Sequence, residues 1–168
     1  MKKIIILIPV FNDWESLNKL LNEINENIKS FSKNNFECLI VNDASTIQPP
    51  ELKKPSNFFS IELLNMKENK GHARCNAFGI RYVFQNKEFD NLILMDGDGE
   101  DKPEEIKSLI EKIKENPSLS VVAKRVKRSE GLLFQSLYKL HKLITLIFTG
   151  QNINFGNYSI PVSYTHLT

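Results

Sequence analysis

Leu92-Ile93-Leu94-Met95-Asp96-Gly97-Asp98-Gly99-Glu100 is a short apolar run that breaks abruptly into alternating carboxylates and glycines. An apolar run that short, ended by a turn, fits a strand buried on both faces. Two carboxylates two positions apart, beside glycines that let the loop turn tightly, can both face one hard cation. Oxygen donors suit magnesium or manganese, and no histidine or thiolate clusters with them to suggest zinc. The plain alternative is a solvated acidic turn. The loop's place directly after a hydrophobic strand favours the metal.

Outward from that run, strands and helices alternate. Residues 4–9 form an apolar run closed by Pro9, and residues 36–41, 59–64 and 119–123 read as further strands. Between the first two, Trp14, Leu17, Leu21, Ile24, Ile28 and Phe31 recur at steps of three and four, making one apolar helix face that Asn12 or Asp13 can cap. Residues 71–84 read as a second helix. Pro103 opens a third, carrying Ile106, Leu109, Ile110 and Ile113. This order predicts an α/β fold, a Rossmann-like three-layer sandwich around a mainly parallel central sheet. Such sheets bind ligands at the carboxyl ends of their strands. Asn12-Asp13, Asn42-Asp43 and Asp96-Gly97-Asp98 stand at those ends. Three acidic loops are therefore expected to meet on one rim.

A chain of 168 residues, 41% hydrophobic and 25% charged, fits one globular domain. Its formal net charge of +2 makes no case for a nucleic-acid partner. Two cysteines, Cys38 and Cys75, cannot form a disulfide framework and read as buried free thiols. Met1-Lys2-Lys3 and the apolar run behind it lack the length and cleavage site of a signal peptide, and no stretch is long and apolar enough to cross a membrane. A cytoplasmic protein is expected. Between residues 121 and 142, Lys124, Arg125, Lys127, Arg128, Lys139 and Lys142 face one acid, Glu130, and lead into a largely apolar helix over 132–148. These cations are a plausible counter-charge for phosphate or for the anionic cytoplasmic face of a membrane; the alternative is a core helix with solvated ends. Val162-Ser163-Tyr164-Thr165-His166-Leu167-Thr168 resembles a translated sequencing adaptor. The expectation is therefore a C-terminally truncated catalytic domain over residues 1–161.

The motifs then become specific. Ile8-Pro9-Val10-Phe11-Asn12-Asp13, Val41-Asn42-Asp43-Ala44-Ser45-Thr46 and Met95-Asp96-Gly97-Asp98-Gly99-Glu100-Asp101-Lys102-Pro103 are similar to three ordered motifs of the family 2 glycosyltransferases, which have the GT-A fold. The run from Lys70-Gly71-His72 to Asn76 and Gly79 resembles the same family's helix start. The stretches Val122-Ala123-Lys124-Arg125 through Arg128, and Asn154-Phe155-Gly156-Asn157-Tyr158-Ser159, resemble the branch of dolichol-phosphate mannose synthases and bacterial polyprenyl-phosphate sugar transferases.

That resemblance implies an inverting transfer of sugar from a UDP- or GDP-sugar to a lipid phosphate or a glycan. It implies that Asp43 bonds the nucleobase in a donor pocket shared with Pro9, Phe11, Asp13, Ser45, Gly71 and Asn76. Asp96, Asp98 and Glu100 would hold Mg2+ or Mn2+, with Asp96 also near the ribose and diphosphate. Arg125 would assist Asp98 in the chemistry, and Arg128 would bind phosphate. Asn42, Ala44, Asp13 and Glu100 depart from the family's commonest residues: Asp13 shortens a usual glutamate, and Glu100 stands where the branch often has glutamine.

Other readings fit less well. An EF-hand would need glycine at Asp101 and glutamate at Lys107, with helices on both flanks. A haloacid-dehalogenase-type enzyme sets paired aspartates after its first strand, followed by threonine or valine rather than Glu100. A sugar-phosphate nucleotidyltransferase would need a glycine-rich basic loop where Pro9-Val10-Phe11-Asn12-Asp13 stands, and a dinucleotide oxidoreductase would need G-x-G-x-x-G after a strand. The intact Asp96/Asp98 pair argues against the remaining alternative, a non-catalytic nucleotide- or glycan-binding module.

Overall fold

The computed structural model of the protein describes residues 2–31, 33–99, 101–115, 121–122 and 159–160. Its elements run β1 (Lys2–Val10), α1 (Trp14–Ile28), β2 (Asn34–Asn42), β3 (Phe58–Asn65), α2 (His72–Asn86), β4 (Asn91–Leu94), α3 (Glu105–Glu115), β5 (Val121–Val122) and β6 (Ser159–Ile160). The sheet order is β3-β2-β1-β4-β6-β5, and the first four strands are parallel. The α/β, mainly parallel fold expected from the sequence is present.

Alternation along β1 builds the layers. Ile4, Ile6, Ile8 and Val10 pack into one core with α1 and α3, while Ile5 and Leu7 pack into the other with Cys75 and Val83 of α2. Successive strand side chains point to opposite faces, so a continuous isoleucine run serves both layers. Of the two capping candidates, Asp13 caps α1, its Oδ1 accepting from Ser16 N at 3.2 Å. The helix ends at Ile28, before Phe31, which instead packs edge-on against Phe36 with ring centroids 6.0 Å apart.

Within the run 119–123 read as a strand, β5 covers Val121–Val122 and runs in the same direction as β4; the reversed strand is β6, which the sequence reading did not include and which pairs antiparallel with both β4 and β5. A strand from the far end of the sequence thus enters the sheet between β4 and β5. Two-residue strands carry no periodicity by which they could be recognised. Glu100, the basic cluster at residues 124–128, the apolar helix expected over 132–148, residues 154–158 and the tail 162–168 lie outside the described residues.

Both cysteines are free and buried, as expected. Cys75 Sγ donates to Val41 O at 3.4 Å, and burial first, then the charge of Asp43, pushes its thiol up to about 12. Burial pushes Cys38 up as well. At the amino edge of the sheet, buried Glu37 pairs with Lys3 at 3.1 Å and Lys87 at 3.3 Å; Lys87 also pairs with Glu62 at 2.7 Å. These contacts hold the end of α2 against β2 and β3.

Gly79 sets how closely α2 approaches the sheet. A Cβ there would lie 2.5 Å from Leu7 Cδ1 and 2.8 Å from Val41 Cγ2. Gly79→Ala is expected to cost about 1–3 kcal/mol, as overpacking does. In a thermal melt that is a fall of about 2–4 °C per kcal/mol. An unchanged melting temperature would mean that Leu7 and Val41 yield freely.

Candidate active site

The order in which the chain lays down its strands creates the site. From β1 it proceeds outward to β2 and β3, then returns through α2 to place β4 on the other side of β1. Connections diverge at such a switch point and leave a crevice at the carboxyl ends of the two central strands. Pro9, Val10, Phe11 and Asp13 from the end of β1 line a cavity there, together with Asp96, Gly97 and Asp98 after β4 and His72 at the start of α2. Five expected site residues, Pro9, Phe11, Asp13, Asp96 and Asp98, therefore share one cavity. Phe11, 48% exposed, offers a large apolar face beside the carboxylates.

The acidic loop is tightly placed. A Cβ on Gly97 would come within 2.8 Å of Pro9 O, so a side chain there would push the loop off β1. Gly99 has φ +79°, a left-handed conformation that glycine adopts without steric cost. Asp96 N donates to Asp101 Oδ2 at 2.8 Å, and Asp101 is buried. The loop is closed by its own backbone amide, with Asp96 partly buried and Asp98 exposed.

The β2 loop is stapled to its neighbours. Asn12, at φ +60°, accepts through Oδ1 from Thr46 N at 2.8 Å and Ile47 N at 3.0 Å, and its own N–H donates to Ser45 Oγ at 2.9 Å. Trp14 Nε1 donates to Ile47 O at 3.0 Å. Asn42 Oδ1 accepts from Ser45 N at 2.9 Å. Ala44 is left at φ +56°, unfavourable for a residue with a Cβ and tolerated because both flanks are held. Asp43 is only 3% exposed, and its two oxygens accept from Lys70 N and Gly71 N, each at 2.8 Å. Gly71, at φ +82°, then turns the chain into α2.

Asp43, Ser45, Gly71 and Asn76 thus stand beside the cavity as its frame and do not line it. Glu100, Arg125 and Arg128 lie outside the described residues. Sequence reasoning assigned no role to Asn12 as a staple, to Asp101 or to His72. The fold brings one histidine to the carboxylates: His72 Nε2 lies 3.1 Å from Asp96 Oδ1. The two are 24 positions apart in sequence and meet only because α2 begins at the same rim on which β4 ends. The usable signal was a polar residue directly after Gly71, in the first turn of a crossover helix.

As an oxygen-donor set on a glycine-hinged loop, Asp96 and Asp98 fit a hard divalent cation. Among the described residues, no three His, Cys, Asp or Glu side chains already converge on one point. Asp98 stands exposed between its two glycines. No described helix is long and apolar enough to cross a membrane.

The chain is similar to known proteins. An undecaprenyl-phosphate 4-deoxy-4-formamido-L-arabinose transferase of Salmonella choleraesuis is 30% identical over 152 residues, covering 90% of this chain and 45% of that protein. Its counterpart in Salmonella paratyphi B is 29% identical over the same length. The chain thus spans about half the length of the curated relatives it matches. Among solved structures, S. aureus TarS 1–349 in complex with UDP-GlcNAc aligns with a TM-score of 0.57 at 20% identity, covering 77% of this chain and 36% of that one. The mannosyltransferase PcManGT of Pyrobaculum calidifontis, in complex with GDP-Man and Mn2+, aligns at 0.56 and 17% identity, covering 84% and 39%. These likenesses give the GT-A fold. The model of the family described as "Glycosyl transferase family 2" matches residues 5–168, and on that match the chain belongs to glycosyl transferase family 2.

Proposed function

We propose that the protein moves a sugar from a nucleoside diphosphate sugar, UDP- or GDP-linked, to a lipid phosphate at the cytoplasmic face of a membrane. The observation that carries this is the cavity at the β1/β4 switch point, where Phe11, Asp13, Asp96 and Asp98 come together. The acceptor is suggested by the undecaprenyl-phosphate transferases to which the chain is similar over 90% of its length.

Each residue has a part in this reading. Phe11 offers its face to the donor's nucleoside, and Asp43 accepts from the base through lone pairs left over from its two backbone bonds. Ser45 and Asn12 fix the shape of that pocket; Gly71 and Asn76 fix the start of α2 beside it. Asp96 and Asp98 hold Mg2+ or Mn2+, with Glu100 as a further candidate ligand from the sequence. Bound there, the cation would neutralise charge developing on the leaving nucleoside diphosphate. Arg125 and Arg128 are the sequence's candidates for additional counter-charge. The acceptor oxygen attacks the anomeric carbon opposite the departing diphosphate, so configuration inverts. A lipid phosphate is already ionised near neutral pH and needs no general base, unlike a sugar hydroxyl.

The test offers the protein UDP- and GDP-linked sugars together with undecaprenyl phosphate in vesicles and follows labelled sugar into the organic phase. Labelled lipid of inverted configuration is expected. Label appearing only on a soluble glycan would move the acceptor. No transfer to either, with the donor unhydrolysed, would defeat the reading.

A further inference from the structure

We infer that His72 is a metal-binding residue of this site, contributing its Nε2 beside Asp96; the inference rests on the metal-binding role proposed above for Asp96 and Asp98. Nε2 lies 3.1 Å from Asp96 Oδ1. At ligand distances of about 2.1 Å, neighbouring ligands of one ion are about 3.0 Å apart, so the spacing of these two atoms would suit adjacent ligands.

The ring is held where it is useful. His72 opens α2 directly after Gly71, whose N–H is tied to the buried Asp43 carboxylate at 2.8 Å, so the backbone beneath the imidazole is anchored. One turn on, Asn76 brings Nδ2 to 2.9 Å from the same Nε2. An imidazole nitrogen carries either a proton or a lone pair, so Nε2 cannot both donate to Asp96 and accept from Asn76. Asn76 is 8% exposed, and its Oδ1 is buried without a hydrogen-bond partner among the described residues. Turning the amide over would only exchange which of its atoms is stranded. With the ring proton on Nδ1, a cation beside Asp96 Oδ1 would take the Nε2 lone pair in place of the Asn76 amide. Asp98 closes on that ion from its glycine-flanked position.

A mixed imidazole–carboxylate set has a consequence that carboxylates alone do not. Magnesium strongly prefers oxygen, whereas a first-row transition ion accepts imidazole nitrogen. Manganese should therefore bind in preference to magnesium, and His72→Ala and His72→Gln should each remove most of that preference. Glutamine keeps the reach and a hydrogen bond to Asp96 but carries no imidazole nitrogen, so it separates ligation from positioning.

The deciding experiment is pulsed EPR of the full chain loaded with Mn2+ alone, with histidine labelled as 15N in a parallel sample. A directly coordinated nitrogen coupling is expected in the wild type, shifting with the label and absent from both variants. Matching thermal melts would establish that the variants are folded. Absence of the coupling in the wild type would overturn the inference, as would a coupling that survives in the variants. Restoration of manganese preference by glutamine would also overturn it. Because no nucleotide is present, failure of UDP- or GDP-sugars to bind would count against the transferase reading and leave the nitrogen signal standing.

Discussion

Replacing Asp98 with asparagine should cut sugar transfer by on the order of a hundred-fold or more, corresponding to the loss of several kcal/mol of transition-state stabilisation. The substitution keeps size and shape but removes the charge from the exposed arm of the Asp96–Asp98 pair. A neutral amide oxygen is a far poorer partner for a hard cation, so the charge developing on the departing diphosphate is left poorly compensated. The fold should change little, because Asp98 is exposed at the tip of its loop. Measuring kcat with added Mn2+, with and without chelator, checks both parts. A variant that stays within a few-fold of wild type, in an enzyme that also resists chelator, would remove Asp98 from the chemistry.

Asp43→Ala should act on stability as well as binding. The carboxylate is 3% exposed and receives two backbone N–H groups at 2.8 Å. Hydrogen bonds to a charged group contribute about 1.5–3 kcal/mol each, so about 3 kcal/mol or more should be lost. In a thermal melt this corresponds to a fall of roughly 6–12 °C. The loop from Lys70 to Gly71 would loosen, and with it the start of α2 that carries His72. Nucleotide affinity should fall by a further 1–3 kcal/mol, roughly, if Asp43 also meets the base. Calorimetry with UDP and GDP, beside the melt, separates the two effects. A lower melting temperature with undiminished affinity would make Asp43 a clamp alone.

The parts of this fold that could be read from the sequence are those with a period or a boundary residue. The continuous run from Ile4 to Ile8, closed by Pro9, read as a buried central strand, and the first and third helices were marked by the spacing of their apolar residues and by Asp13 and Pro103. The meeting of Asp13 and Asp96 followed from parallel strands placing their carboxyl ends together. What could not be read lies in contacts between distant segments. Nothing near Asp43 in sequence announces that Lys70 and Gly71 would take both its oxygens. Nothing beside Asp96 announces His72. Likewise β6 is two residues long and borrows its identity from β4 and β5, so only the assembled sheet defines it. Ser45 and Asn76 were identified as donor contacts by motif, but the structure shows them bonding protein partners, Asn12 N and the His72 ring. Polar residues of a motif can frame a pocket as readily as touch what fills it.

The most direct measurement is a crystal structure of the protein soaked with Mn2+ and either UDP or GDP, collected where manganese scatters anomalously. The anomalous peak should lie at the β1/β4 switch point between Asp96 and Asp98, with the diphosphate against it and the base reaching past Phe11 toward Asp43. A nucleotide bound elsewhere, or one bound at this rim with no anomalous peak beside those carboxylates, would contradict a metal-dependent donor site at the meeting of these loops.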